Sequence, residues 1–242
     1  MANQRDQPIG VQSFRDLVES RRSVRQFKRG RIPKSVTKEC LRLAMLAPNS
    51  SNLQPWHFYW VQNPQKKKQL VTACLDQNAA KTASELIVIV ARTDTWKKHA
   101  QGILDQWPDK SMPPIVERYY KKMVPMMYDS GFMGISGQLK KAYASIRGIY
   151  KPTPRGPYTA DAMRLWAVKS TSLASAHLML AYRSFGYDTC PMEGFDARLV
   201  SQIVEPPKGA EIVMVLAVGS RATKGVYNKR FRFPREEFVS VL

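Results

Sequence analysis

Residues 21–25 read Arg-Arg-Ser-Val-Arg and bring the guanidinium groups of Arg21, Arg22 and Arg25 close to the hydroxyl of Ser23. Guanidinium groups offer planar, forked donors that match phosphate oxygens, and a serine hydroxyl adds a further donor. The segment is therefore a candidate phosphate site. A basic helix end that is simply exposed to solvent has the same composition. The segment alone is therefore compatible with a phosphate site and with a solvated helix end.

A polar loop at residues 47–56 is the second candidate binding segment. It contains Pro48, Asn49, Ser50 and Asn52, and the prolines at 48 and 55 flank its polar residues. Such a loop is rigid and rich in hydrogen-bonding groups, so it could form hydrogen bonds with the polar edge of a ligand ring. The alternative is an ordinary turn between a helix and a strand, where Asn, Ser and Pro are common.

A short segment at residues 191–196 is the third candidate and begins with Pro191, Met192, Glu193 and Gly194. Glycine tolerates unusual backbone angles and lets a ligand approach the main chain closely. The alternative is a turn that caps the helix predicted to follow.

Several familiar sites are missing from the sequence. There is no GxGxxG after a strand, no GxxxxGK[ST] and no GxSxG. Three isolated histidines and three isolated cysteines lack metal-ligand spacing, so no metal site is predicted. The sparse, odd cysteine count favours a reducing compartment, and we expect a cytoplasmic protein without a signal peptide or membrane span.

The formal net charge of +19 is the most unusual global property of the 242 residues. The lysines occur in short, scattered runs, which favours solvated helix faces over a nucleic-acid site. A real attraction to polyanions, either nucleic acid or anionic lipid, is the alternative.

Hydrophobic periodicity predicts the elements that must position these segments. We expect helices at 11–20, from Pro33 towards Pro48, at 66–75 and at 161–185, and strands at 57–62, 86–91 and 212–219. Small residues crowd the centre of the long helix, which predicts that another helix packs closely against it, and Gly186 should end it. The order indicates an α+β fold with one sheet.

Residues 94–160 differ from the rest, because they are rich in Lys, Tyr, Met and Pro. Helices are predicted near 114–128 and 134–147, followed by a proline-containing loop. The aromatic and methionine side chains could form a lid over a ligand, but packing within a helical hairpin is favoured for most of them. They are Tyr119, Tyr120, Met126, Met127, Tyr128 and Phe132.

Taken in order, these segments resemble the nitroreductase family of flavoproteins. Residues 21–25 are similar to its RRSxR start, residues 48–56 to its P-S-x-x-N-x-Q-P-W loop, and residues 191–196 to its P-x-E-G-F-D turn. The tail segment Arg230-Phe231-Arg232-Phe233-Pro234 resembles its basic ending. The resemblance covers most of residues 14–93 and 161–236, whereas 94–160 match poorly.

The resemblance implies a nitroreductase-like fold, in which helices flank a central, mostly antiparallel sheet, within an intertwined homodimer that holds FMN at its interface. Residues 1–242 would form one FMN-binding domain with a variable helical insert at about 94–160. It also implies ping-pong electron transfer from NAD(P)H to a small acceptor such as a nitroaromatic, quinone or activated alkene. Reductive dehalogenation, flavin fragmentation, and flavin or polyanion binding with little turnover are the alternatives.

The resemblance further assigns a role to each candidate residue. Arg21, Arg22, Ser23 and Arg25 would hold the FMN phosphate and ribityl chain, together with Arg230 and Arg232. Pro48, Asn49, Ser50 and Asn52 would reach the flavin from the partner subunit, although the family more often has serine or alanine where Asn49 stands. Gln77 would bond the pyrimidine edge, and the backbone of Pro191, Met192, Glu193 and Gly194 would lie against the isoalloxazine.

Overall fold

The computed structural model describes residues 10–131 and 134–242. Its strands are β1 (Trp56–Val61), β2 (Glu85–Ala91), β3 (Asp188–Met192) and β4 (Glu211–Gly219). The helices are α1 (Val11–Ser20), α2 (Lys34–Ala44), α3 (Pro64–Ala73), α4 (Asn78–Thr82), α5 (Trp96–Asp105), α6 (Pro114–Arg118), α7 (Val124–Tyr128), α8 (Ile135–Tyr150), α9 (Ala160–Ser184) and α10 (Ala197–Val204). A π-helical turn, Tyr119–Met123, joins α6 to α7.

The four strands form one antiparallel sheet in the order β1-β2-β4-β3. Residues 86–91 are fully buried in the middle of the sheet, as their continuous apolar run predicts for a strand covered on both faces. The α+β class and the antiparallel sheet are therefore confirmed. The sheet leaves β1 at one edge and β3 at the other, and this separation determines where the candidate segments lie.

Helices cover both faces of the sheet. On one face, α3, α4 and α10 bury side chains such as Leu70 and Val200 against Val88 and Val215. On the other face, α2 and α9 bury Cys40, Leu178 and Tyr182 against alternate residues of the same strands. This alternation follows from the pleat, which sends successive strand side chains to opposite faces.

Helix α9 packs against α2 and crosses the sheet, which confirms its predicted role as a central packing helix. Ala167, Ser170, Ala174 and Ser175 are buried on its inner side, so the small side chains do permit a close approach. The Thr159 hydroxyl accepts a hydrogen bond from the Ala162 N–H at the start of α9. Gly186, with a φ of 82°, follows its end as predicted.

Strand β3 and helices α4 and α5 are absent from the sequence-based prediction. The interpretation of residues 191–196 as wholly a turn is wrong, because Pro191 and Met192 belong to β3. A proline argues against a strand, but β3 lies at the sheet edge, where a missing N–H is tolerated. The rest of the segment does cap a helix, since the Asp196 carboxylate accepts from the Leu199 N–H in α10.

None of the helices in the two described ranges combines the length and the apolar character needed to cross a membrane. Cys40, Cys74 and Cys190 are all buried free thiols. Burial raises the pKa of Cys74 to about 11 and, with the nearby Glu39 and Glu85 carboxylates, that of Cys40 to about 12.

Candidate functional site

The two ends of the chain meet at a cavity of about 190 Å³ lined almost entirely by cations. We call it the basic cavity; its lining residues are Arg21, Arg22, Ser23, Lys229, Arg230, Phe231 and Arg232. Backbone carbonyls fix two of the guanidinium groups. Arg22 Nη2 donates to the Asn228 oxygen at 2.6 Å. Arg230 Nη2 donates to the oxygens of Glu19 and Arg21 at 2.7 and 2.6 Å.

The charges of the basic cavity are not balanced within the described ranges. None of its arginines or its lysine forms an ion pair with a carboxylate there. Partial burial lowers the pKa of Arg21, and the guanidinium groups of Arg230, Arg232 and Arg22 lower it further. A guanidinium stays charged even so. The cavity therefore offers forked donors and an unopposed positive potential, which together suit a phosphate group.

The edge strand β3 positions the N-terminal half of the basic cavity. Residue Ser23 pairs with Thr189 of β3, and the Val24 N–H donates to the Thr189 oxygen at 3.0 Å. Val24 and Phe27 are buried and anchor the segment. Any side chain at Gly219 would come within 2.9 Å of Phe27, so this close approach requires glycine.

A buried carboxylate, Asp188, holds the surrounding backbone. Its side chain is 3% exposed and forms ion pairs with Arg221 at 2.6 Å and Arg183 at 3.2 Å. The same two arginines donate to the oxygen and the hydroxyl of Ser20, at the end of α1. The network thus links α9, β3 and the segment that follows β4 to the point where the cationic segment begins. The sequence gives no signal for it, since its members lie far apart.

Gln77 and Gly194, two further predicted residues, are in contact. Gln77 Nε2 donates to the Gly194 oxygen at 2.7 Å, although 117 positions separate them. Gly194 follows β3, and Ser23 of the basic cavity pairs with Thr189 of β3. The contact and the basic cavity therefore lie at the same edge of the sheet.

The polar loop lies at the opposite edge, just before β1. Its backbone has positive φ angles at three non-glycine residues, Ser51 (58°), Asn52 (49°) and Gln54 (46°). Such angles are uncommon and persist only where surrounding contacts impose them. Asn49 contributes one of these contacts, because its Oδ1 accepts from the Gln54 N–H at 2.8 Å.

Three tyrosines of the insert, Tyr119, Tyr120 and Tyr128, supply further contacts, and we call them the tyrosine clamp. The Tyr128 hydroxyl lies 3.1 Å from Ser50 Oγ and 3.0 Å from Ser51 Oγ. The Tyr119 hydroxyl lies 2.7 Å from Ser51 Oγ, and Tyr120 donates to the Ser51 carbonyl oxygen at 3.0 Å. Burial, together with the phenols of Tyr119 and Tyr128, raises the pKa of Tyr120, so it stays a neutral donor.

The clamp shows what the aromatic side chains of the insert do. Tyr119, Tyr120 and Tyr128 pack and bond to the loop, which agrees with the packing interpretation rather than a free lid. Met126 is half exposed. Phe132, also named in the lid interpretation, lies outside the described residues.

The structure brings the predicted site residues together as three groups. Arg21, Arg22, Ser23, Arg230 and Arg232 share the basic cavity. The Arg25 N–H bonds the Gly225 oxygen nearby, but its side chain does not line that cavity. Gln77 and Gly194 form the second group, and Pro191, Met192 and Glu193 lead up to it.

Residues of the polar loop form the third group. Pro48, Asn49 and Ser50 line a separate cavity of about 660 Å³ with residues of α9, and Asn52 faces the insert. Three interstrand spacings separate the two sheet edges, or about 14 Å. One chain therefore does not place this loop at the basic cavity. Lys229 and the tyrosine clamp are the site features that the sequence-based reasoning missed.

Comparison with known proteins decides the family. The model of the Nitroreductase family matches residues 18–220. The chain belongs to the nitroreductase family. It is 24% identical over 215 residues to an NADH dehydrogenase of Thermus thermophilus, covering 89% of this chain and 90% of that relative.

Solved structures of the nitroreductase type share the fold. The Bacillus subtilis protein ydfN superposes with a TM-score of 0.74 and 26% identity, covering 96% of this chain and 99% of that one. A protein of Exiguobacterium sibiricum, crystallised in complex with FMN, gives a TM-score of 0.70 and 24% identity, with 95% and 97% covered.

Proposed function

We propose that this nitroreductase-family protein is an FMN-dependent oxidoreductase that passes electrons from NAD(P)H to small electrophilic acceptors. The observation that carries the proposal is the basic cavity, where donors from both ends of the chain converge without a carboxylate to balance them. The FMN in the Exiguobacterium sibiricum structure and the name of the Thermus thermophilus relative support the cofactor and the donor.

The residues of the β3 edge fit the parts of FMN. The basic cavity suits the terminal phosphate, because guanidinium groups and the Ser23 hydroxyl donate to phosphate oxygens. Arg25 would lie nearer the ribityl chain. Gln77, whose Nε2 donates to the Gly194 oxygen, would bond the pyrimidine edge of the flavin. The backbone of Pro191, Met192, Glu193 and Gly194 would lie against the flavin ring.

When bound, FMN would supply the redox chemistry, taking hydride from NAD(P)H and passing electrons to the acceptor in two separate half-reactions. The chain's own part is to bind and orient. Donors beside the bound ring, Gln77 among them, would stabilise the negative charge of the reduced flavin. Nitroaromatics, quinones and activated alkenes are the acceptor classes that we propose.

A homodimer would complete the site. In one chain the polar loop and the basic cavity lie at opposite sheet edges, so we propose that Pro48, Asn49, Ser50 and Asn52 meet the flavin of a second copy. Exposed apolar side chains support an extensive interface: Phe14 on α1 is 60% exposed, and Phe231 and Phe238 in the tail are 68% and 72% exposed. We further propose that residues 1–242 form one domain with 94–160 as its insert.

Spectroscopy of the purified protein tests the proposal directly. We expect a yellow protein whose visible absorbance bleaches when NADH or NADPH is added without oxygen, and returns when a quinone or nitroaromatic follows. Parallel initial-velocity lines would indicate the ping-pong order. A protein that binds no FMN, even after incubation with an excess, would overturn the proposal.

A further inference from the structure

Four hydroxyl groups form a continuous line between the polar loop and the insert, and we call it the hydroxyl network. Ser50 Oγ lies 3.1 Å from the Tyr128 hydroxyl, which lies 3.0 Å from Ser51 Oγ. Ser51 Oγ lies 2.7 Å from the Tyr119 hydroxyl. In each of these three contacts either oxygen can be the donor. Because a hydroxyl both donates and accepts, the network can pass a proton in either direction.

The middle of the hydroxyl network is shielded from solvent. Tyr128 is 2% exposed. Its ring packs between those of Trp96 and Trp166, whose centroids lie 6.2 and 4.8 Å away. A proton that enters the network at one end therefore does not escape to water at Tyr128.

The two ends of the hydroxyl network open onto different cavities. Ser50 lines the cavity of about 660 Å³ beside α9, together with Pro48 and Asn49, which we propose to meet the flavin of a second copy. Tyr119 is half-buried and lines a separate cavity of about 450 Å³ with Trp107. The network therefore joins the proposed flavin side of the loop to a second cavity against the insert.

We propose that the hydroxyl network supplies the proton that the electron acceptor takes up, a role that rests on the proposed function. A quinone or an activated alkene gains one hydride, which carries two electrons, and one further proton. Ser50 Oγ gives its proton to the acceptor and takes that of Tyr128. Tyr128 is restored by Ser51, and Ser51 by Tyr119, which takes a proton from water. Every hydroxyl is then restored, and one proton has entered for each pair of electrons.

The proton transfers along the hydroxyl network occur together. A separate alkoxide or phenolate would be costly, because an unperturbed phenol ionises only near pH ~10 and burial disfavours a charged oxygen further. A concerted shift leaves no hydroxyl charged. A single water molecule at Tyr119 is enough to restore the network, so the proposal holds whether or not a second copy covers the insert.

Tyr119→Phe and Tyr120→Phe are a matched pair, because both neighbours bond Ser51 but only Tyr119 belongs to the hydroxyl network. Tyr120 donates to the Ser51 carbonyl oxygen, which has no proton to pass on. The probes are a benzoquinone, which takes up a proton, and ferricyanide, which takes single electrons without one. The ratio of the quinone rate to the ferricyanide rate should fall about tenfold or more in Tyr119→Phe, as loss of a general acid predicts. In Tyr120→Phe this ratio should equal that of the unmodified protein.

Two further measurements separate proton transfer from a structural effect. When the quinone reoxidises the reduced protein in mixtures of light and heavy water, the rate should depend on the deuterium fraction along a curve, because several protons move together. Tyr119→Phe should lose this curvature and Tyr120→Phe should keep it. The midpoint potential of the bound FMN, measured by spectroelectrochemistry, should be the same in all three proteins, so that driving force does not explain the slower rate.

Three outcomes would overturn the proton role alone and leave the tyrosine clamp as a positioning device. They are an equal fall of the rate ratio in both variants, a straight dependence on deuterium fraction in the unmodified protein, and a potential shift in Tyr119→Phe large enough to account for its rate. An unmodified protein that binds no FMN would instead overturn the proposed function, and the proton role with it.

Discussion

The two edges of the sheet contrast in how their polar groups are satisfied. At the β3 edge, the basic cavity gathers like charges that no described carboxylate balances. At the β1 edge, the strained polar loop is held by hydroxyl and carbonyl bonds from Tyr119, Tyr120 and Tyr128. The first region offers unopposed donors to an anionic ligand, whereas the loop of the second region is already held by hydrogen bonds within the chain. We infer that the β3 edge binds the phosphate and that the contacts at the β1 edge position the loop.

Removing two guanidinium groups should have the largest effect. We expect Arg21→Ala with Arg232→Ala to weaken FMN binding at least about a hundredfold, because a hydrogen bond to a charged group contributes about 1.5–3 kcal/mol. Fluorescence titration with FMN measures this loss. The flavin-free variant should melt no lower than the flavin-free parent, since the substitutions remove repulsion.

Arg235→Ala is the matched control, because Arg235 is an exposed arginine of the same tail that lies outside the basic cavity. Its FMN affinity should equal that of the parent. Equal losses in the control and the double variant would show that overall charge, rather than the cavity, binds the phosphate.

The clamp predicts the next largest effect, this time on stability. Tyr128→Phe keeps the buried ring against Trp166 but removes the hydroxyl shared by Ser50 and Ser51. We expect a loss of about 1–3 kcal/mol in the free energy of unfolding and a fall of about tenfold in kcat/KM for the acceptor. Urea unfolding and steady-state kinetics provide the measurements.

Tyr143→Phe, at an exposed position, is the control for the clamp and should leave both quantities unchanged. If Tyr128→Phe matches this control in stability, the tyrosine clamp does not hold the loop.

A substitution at the contact between Gln77 and Gly194 should lower FMN affinity less than removal of the two arginines. Gln77→Ala removes one neutral hydrogen bond, so FMN affinity should fall by about fivefold, equivalent to roughly 1 kcal/mol. Gln65→Ala, which alters an exposed glutamine at the start of α3, should not change it. An unchanged affinity for Gln77→Ala would place the flavin ring away from Gly194.

The smallest predicted effect concerns pH at the β1 edge. Partial desolvation of the His57 imidazole, and then the Arg92 charge, lower the pKa of His57 in the folded protein. As the pH falls below about 6.5, the unfolded chain takes up the proton first, so stability is lost towards the lowered pKa. Between pH 7.5 and 5.5, His57→Gln should therefore lose less in thermal midpoint than the parent. Identical slopes would contradict this assignment.

Local patterns were enough to predict the main elements. The spacing of Val11, Phe14 and Val18 predicts α1 with its observed bounds, and the apolar run at 86–91 predicts the buried centre of β2. Strand β3 was not predicted, because it is short and contains Pro191. Its pairing with β4 also depends on residues far along the chain.

The sequence by itself determined the periodic helices, the buried strands and the residue types suited to a phosphate, because these follow from side-chain chemistry and spacing over a few positions. Only the tertiary structure decided that Arg21 meets Arg230, that Gln77 meets Gly194 and that Tyr128 meets Ser51. Each of these contacts joins residues that are far apart in the sequence. The packing of the sheet and α9 brings their partners together, and no local pattern records that packing.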